Sequence, residues 1–227
     1  ANFVSIKEVN FSNSMGKSQQ SPDYFMENDN SLTAEALIYA YTSGVFPMAE
    51  ADGTIYWYRP DPRAVIPIDT YKPAKSLKPL INRGYFEIRI DTQFEAVMRA
   101  CAAPRAYEKE TWISEEIIQA YVDLHHMGFA HSVETYLDGA LVGGLYGVHF
   151  ASAFFGESMF MKVSNASKVA FYHLMEILQS NEFTLLDTQF MNDNVERYGA
   201  VEIKRSKYEK LLSASLQKAC EFKLPVK

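Results

Sequence analysis

The chain has 227 residues, 48% of them hydrophobic and 22% charged, which is the composition of one large or two small globular domains. It holds no apolar run of ~18 residues, which excludes a membrane-spanning helix. Its net charge of −6 gives no general attraction for nucleic acid, so any such contact needs a local basic patch. Cys101 and Cys220 form neither a CxxC nor a metal-ligand spacing, as expected of a reduced cytoplasmic protein without a metal.

The first stretch, about 1–30, is polar and rich in Ser and Asn. It lacks a basic segment followed by an apolar one and reads as an irregular arm, not a secretory leader. "SLTAEALIYAYTSG" predicts a helix over about 33–43, with Ser31 or Thr33 as cap, Glu35 in the first turn and Gly44 as the stop. "TIYWY" predicts a strand. Pro60 and Pro62 break it, and "AVIPI" resumes extended structure. A seam near residue 70 would separate a small N-terminal domain, 31–70, from a larger one, 71–227.

"KPAKSLKPLINRG" reads as a helix or two turns, and "YFEIRID" alternates as a half-buried strand. "DTQFEAVMRACAA" predicts a helix capped by Asp91 or Thr92. "TWISEEIIQAYVDLHHMG" predicts another, capped by Ser114, with Ile117, Ile118, Tyr121, Leu124 and His125 on one side. The residues from 129 to 161 read as three antiparallel strands, with Asp138-Gly139 as the first turn and a looser turn near 151. "NASKVAFYHLMEILQS" is a helix capped by Ser164 or Asn165. "FTLLDTQF" is a strand after it, and "SKYEKLLSASLQKA" is a last helix. The order predicts an α+β fold.

The strand "FTLLDTQF" is a short apolar run that carries Asp187 and Gln189 two residues apart, on one face. "FFGESMFM" carries a second acidic break, Glu157 followed by Ser158. Two neighbouring strands with such breaks suggest one shared site. A carboxylate buried there rises in pKa unless a donor compensates, which suits proton handling. The plainer reading is a satisfied polar pair or a strand end that meets water.

The other features favour structural readings. His125, His126, His131, His149 and His173 show no metal spacing and read as surface or packing residues. "GES" is not a hydrolase elbow. "GALVGGLYG" lies in a hairpin strand and not ahead of a helix, so its glycines allow close approach of a ligand or a strand. Lys72, Lys75, Lys78, Arg83 and Arg89 form one basic stretch, and Lys204, Arg205, Lys207 and Lys210 another. Each is a solvated face or a phosphate-backbone patch.

"LIYAYTSGVFPM", "WYRPDPRAVIP", "TWISEEIIQAYVDLHHMGFAHSVE", "LVGGLYGV", "FFGESMF", "NASK" and "LLDTQF" follow one another in an order that resembles the leucyl/phenylalanyl-tRNA–protein transferase family, over roughly residues 28–212. The resemblance implies a small N-terminal domain followed by a GNAT-like acyltransferase domain with a mixed, largely antiparallel sheet. It implies transfer of Leu, or less often Phe or Met, from aminoacyl-tRNA to the α-amino group of proteins that begin with Arg or Lys. That reaction feeds N-degron proteolysis. No cofactor is implied, and a cytoplasmic monomer is expected.

By the same resemblance Asp187, Gln189 and Glu157 are the catalytic group. Asp187 would polarise Gln189 or the amine and relay its proton, Gln189 would hold the reacting groups in line, and Glu157 would orient the aminoacyl amine or the ribose. A site that only positions substrates, with the tRNA 2′-hydroxyl moving the proton, is the alternative. Leu145, Phe154, Met159 and Leu186 would line an amino-acid pocket, and Trp112 would stack on the terminal adenine. Met48 stands where the family often has a Trp, leaving Trp57 or Tyr58 to complete the stack. Lys75 and Lys78 would face the acceptor stem. "MKVSNASK" lacks the glycine turn with which acyl-CoA-dependent relatives hold pyrophosphate, which weighs against a coenzyme A donor. A non-catalytic binder of tRNA ends or basic N-termini would not need Asp187 and Gln189 together.

Overall fold

The structure, a computed structural model, describes residues 6–7, 32–104 and 111–225. Most of the arm expected to be irregular lies outside the described residues. Within it, Ile6–Lys7 (β1) pairs parallel to Ile55–Tyr58 (β3), and Phe46–Ala49 (β2) pairs antiparallel on the other side of β3. Ala34–Thr42 (α1) lies between β1 and β2 in the chain. Its cap is Thr33, whose hydroxyl accepts the Ala36 N–H, and Gly44 with φ +78 turns the chain out of it.

The main sheet has seven strands: Arg63–Val65 (β4), Glu87–Ile90 (β5), Ala130–Leu137 (β6), Ala140–Phe150 (β7), Ala153–Met161 (β8), Leu185–Gln189 (β9) and Val201–Ile203 (β10). Their spatial order is β10, β4, β9, β8, β7, β6, β5. The β8–β9 pair is parallel and the rest are antiparallel. This is the α+β fold expected, with a small N-terminal region and a mixed, largely antiparallel sheet. The Asp138-Gly139 turn joins β6 to β7 with positive φ at both residues.

Alternation along the strands sends side chains to two cores. Tyr146, Val148 and Phe150 face a core shared with α1, Phe94–Ala102 (α3) and Glu115–His126 (α4). Leu145, Phe154 and Leu186 face the other, filled by Ala166–Ser180 (α5). The stretch "KPAKSLKPLINRG" forms a 3₁₀ turn at Lys75–Leu77 and a short helix, Lys78–Asn82 (α2). A further short helix, Asp193–Glu196 (α6), follows β9, and Arg205–Ser215 (α7) packs near the N-terminal region.

The caps differ from expectation at two helices. Asp91 and Thr92 do not cap α3: the cap position is Gln93, without a side-chain bond. Asp91 turns back to β6, and Glu134 of β6 instead accepts the N–H groups of Thr92 and Gln93. A carboxylate from the strand beside β5 thus holds the chain at the entry to the helix, next to its positive end. At α5, Asn165 holds the cap position in the left-handed region, φ +67, again without a side-chain cap. Ser114 caps α4 as expected, by accepting the Ile117 N–H.

The glycines of β7 serve packing. A Cβ on Gly143 would lie 2.5 Å from the Ala166 Cβ of α5, and one on Gly147 would lie 2.3 Å from the Phe155 carbonyl oxygen. Their neighbours are a helix and a strand of the same chain.

Candidate active site

The parallel pairing of β8 with β9 ends at Phe155 and Asp187, while β8 runs on to Met161. Beyond that point lies a cleft of about 500 Å³. Its walls include Glu157, Ser158 and Met159 of β8, Leu186, Thr188 and Gln189 of β9, and Leu145 and Tyr146 of β7. Met48 and Trp112 also reach it. Tertiary folding has therefore brought together Glu157, Gln189, Trp112, Leu145, Met159, Leu186 and Met48 from the expected set.

Other expected residues are elsewhere. Phe154 is fully buried in the core filled by α5, stacked on Phe222 at 5.4 Å, and is not among the cleft residues. Trp57 lies in β3 opposite Pro47 and does not line the cleft either. Lys75 and Lys78 are exposed on the turn and helix ahead of β5. His125 stacks on Phe94 at 4.4 Å, His131 bridges Asp91 and His149, and His126 is exposed.

Asp187 and Gln189 play different parts although they share a strand. Asp187 has 0% exposure and is missing from the cleft wall. Both its oxygens are engaged. Arg63 Nε and Nη2 donate to them at 2.7–3.1 Å, the Tyr208 hydroxyl donates at 2.6 Å, and the Gln189 backbone N–H donates to Oδ1 at 2.8 Å. A buried carboxylate keeps its charge only with such partners. Burial opposes the Arg63 charge, but Asp187 outweighs it and holds the guanidinium above its ordinary pKa.

Gln189 ends β9 with φ +66 and sends its side chain into the cleft wall, where Nε2 donates to Glu157 Oε1 at 2.8 Å. The Tyr41 hydroxyl donates to the same oxygen at 2.6 Å and is itself hydrogen-bonded to the Tyr121 hydroxyl. Glu157 Oε2 and the Tyr146 hydroxyl are sealed from solvent without a partner among the described residues. Glu157 as a residue is half-buried, but its carboxylate is enclosed. Burial therefore pushes its pKa from the ordinary 4.5 to about 7. The Tyr41 and Gln189 hydrogen bonds pull it down, the Asp187 charge adds to the rise and Arg63 offsets part of it. Burial, and then the Glu157 charge, hold the Tyr41, Tyr121 and Tyr146 hydroxyls well above their usual range, so they stay protonated.

Among the described residues, no group of three or more His, Cys, Asp or Glu side chains is placed to hold a metal ion. The cleft combines an apolar flank, Leu145, Met159, Phe171, Leu174 and Leu186, with the amides of Gln189, Asn192 and Asn194 and one carboxylate of tunable charge, Glu157. That arrangement can seat an unbranched-tolerant apolar side chain beside a group that gives up a proton.

The family model for leucyl/phenylalanyl-tRNA protein transferase matches residues 65–213, and the model for that family's N-terminal domain matches residues 30–61. The chain belongs to this family. A leucyl/phenylalanyl-tRNA–protein transferase of Gloeobacter violaceus is 53% identical over 85% of this chain and 98% of its own. The one from Chlorobaculum parvum is 50% identical over 84% of this chain and 99% of its own. Among solved structures, L-PGS from Bacillus licheniformis aligns with a TM-score of 0.38 and 12% identity, over 72% of this chain and 55% of that one. As a member of the leucyl/phenylalanyl-tRNA–protein transferase family, the chain is a transferase enzyme.

Arg63, Tyr208 and the three tyrosines around Glu157 were not singled out from the sequence. Arg63 had a readable signal, a lone cation entering the apolar run "RAVIPI", and a buried Asp187 demands a cation. Tyr208 had none, because "SKYEKLL" reads as an exposed basic helix.

Proposed function

We propose that this transferase moves Leu, or Phe or Met, from aminoacyl-tRNA to the α-amino group of proteins that begin with Arg or Lys. It does so as a monomer in the cytoplasm, where aminoacyl-tRNA is made, and its products enter N-degron proteolysis. The observation that carries the reading is the Gln189–Glu157 pair, held at 2.8 Å in the wall of a cleft with an apolar flank.

The reaction is aminolysis of an ester. The acceptor nitrogen attacks the aminoacyl carbonyl carbon, a C–N bond forms, the ester C–O bond breaks, and the ribose oxygen leaves. One proton leaves nitrogen and one reaches the ribose oxygen. The bond from Gln189 Nε2 to Glu157 fixes the amide and leaves its oxygen free to accept an N–H from the incoming amine. Glu157, which lines the cleft, is the base; its Oε2 has no partner among the described residues and is sealed, so the carboxylate has to turn toward the cleft to take the proton from nitrogen and pass it to the ribose. Asp187 does not carry the proton in this reading, because Arg63, Tyr208 and Gln189 occupy its oxygens.

Leu145, Met159 and Leu186 take the donor side chain, Trp112 the terminal adenine, and Lys75 and Lys78 the acceptor-stem phosphates. The Glu157 carboxylate, when ionised, favours a cationic N-terminus. The test is transfer of radiolabelled leucine from Leu-tRNA to a peptide beginning with Arg, beside one beginning with Ala. Label on the Arg peptide alone is expected. Label on neither, with folded protein and intact Leu-tRNA, overturns the reading and turns attention to a coenzyme A donor.

A further inference from the structure

Arg63 is among the largest fully buried side chains of the protein, 1% exposed. Its guanidinium is gripped from three elements and the turn after α1. Nη1 donates to the Gly44 carbonyl at 3.1 Å, just after α1. The Phe46 ring of β2 lies 4.8 Å from its centre on one side and the Tyr208 ring of α7 4.6 Å away. Its Nε and Nη2 close on Asp187 of β9. Gly44 itself abuts Tyr208, since a Cβ there would lie 3.1 Å from the ring.

This clamp ends on a strained residue. Asp187 Oδ1 holds the Gln189 N–H while Gln189 sits at φ +66, a region that non-glycine residues seldom occupy without support. The backbone there decides where the Gln189 amide points, and it points at Glu157. A buried ion pair is weak support for a sheet, because apolar residues of similar volume do as well or better. What it supplies that apolar packing does not is a fixed direction for hydrogen bonds.

We propose that Arg63 and Tyr208 are positioning residues for acyl transfer, acting through Asp187 to fix the backbone, and so the amide, of Gln189. The inference rests on the assignment of Gln189 and Glu157 to the reaction. It makes the N-terminal region and α7 part of the active-site frame, although of Gly44, Phe46, Arg63 and Tyr208 none lines the cleft.

The experiment is steady-state leucine transfer to an Arg peptide by Tyr208→Phe, Arg63→Lys, Gln189→Ala and the control Ile177→Val. Tyr208→Phe keeps the ring over Arg63 and deletes only the hydroxyl on Asp187. Its kcat is expected to fall by about tenfold, with KM for Leu-tRNA and peptide unchanged to within about twofold. Arg63→Lys keeps the charge but loses the fork, and its kcat falls on the order of 100-fold. Ile177→Val, in the core filled by α5, tests for simple loosening of the fold and keeps the wild-type kcat. If Arg63→Lys does not fold, Tyr208→Phe decides alone. A wild-type kcat in Tyr208→Phe beside a slow Gln189→Ala overturns the clamp and spares the active-site reading. A wild-type kcat in Gln189→Ala overturns that reading itself.

Discussion

At Glu157 burial and a neighbouring carboxylate oppose ionisation, while Tyr41 and Gln189 favour it, and burial wins. With a folded pKa of about 7 against an ordinary 4.5, the native state holds more protons than the unfolded chain between those values. This carboxyl therefore stabilises the fold least above pH 7, and its contribution is lost as pH rises through the window. Gln is neutral at every pH. Glu157→Gln should thus gain thermal stability relative to wild type between pH 5 and pH 8, by on the order of 3 kcal/mol at the upper end. The opposite sign of activity is expected: wild-type transfer rises with pH through about 7 as the base ionises, and the variant is slow and flat over that range. Melting curves and a kcat profile at matched pH check both. A variant whose melting temperature tracks wild type across the window would show that Glu157 titrates as an ordinary surface acid.

Among the elements, the packing of β7 on α5 is a close fit that the sequence could not specify. Gly143 leaves no room for a methyl group between Ala166 and Thr135, whose atoms would lie 2.5 and 2.8 Å from it. Gly143→Ala must push α5 off the sheet or bend β7, at a cost of about 1–3 kcal/mol. Urea denaturation should show an earlier midpoint with an unchanged slope. An unshifted midpoint would mean that α5 rides loosely on β7. The sequence located both elements well, because Asp138-Gly139 marks the turn into β7 and "NASKVAFYHLMEILQS" reads as a helix. It could not tell that "GALVGGLYG" packs on a helix and strand of its own chain, since glycine has no side chain to reveal a partner. The caps of α3 were misread for a related reason. Asp91 and Thr92 are good local caps, but Asp91 accepts the Ser132 N–H of β6 and Thr92 is held by Glu134 of the same strand.

Across the whole molecule, a chain of net charge −6 must hold its tRNA donor through local patches. Lys72, Lys75, Lys78 and Arg83 are all exposed, which is compatible with a solvated face and with a phosphate track. The proposed function separates the two. Replacing Lys75 and Lys78 by Glu should weaken Leu-tRNA binding and flatten its dependence on salt, by about 0.7–0.9 in log–log slope for each phosphate no longer neutralised. Transfer at saturating Leu-tRNA should be spared. Filter binding across a salt series measures this, and an unchanged slope would return the two lysines to the solvated face.

The amino-acid sequence by itself determined the order of the longer helices and strands, most helix ends, the α+β class, the family, and the polar pair that breaks an apolar strand, but not the short β1, β2, β10 and α6. Those features are written in local periodicity, turn chemistry and runs of residues that lie next to one another along the chain. Only the tertiary structure decided what the pair does. Asp187 and Gln189 are two residues apart, yet one is sealed against Arg63 and Tyr208 and the other meets Glu157 at the cleft. The partners come from β4, α7 and β8, distant along the chain, and a buried charge is satisfied by whatever folding brings within about 3 Å of it.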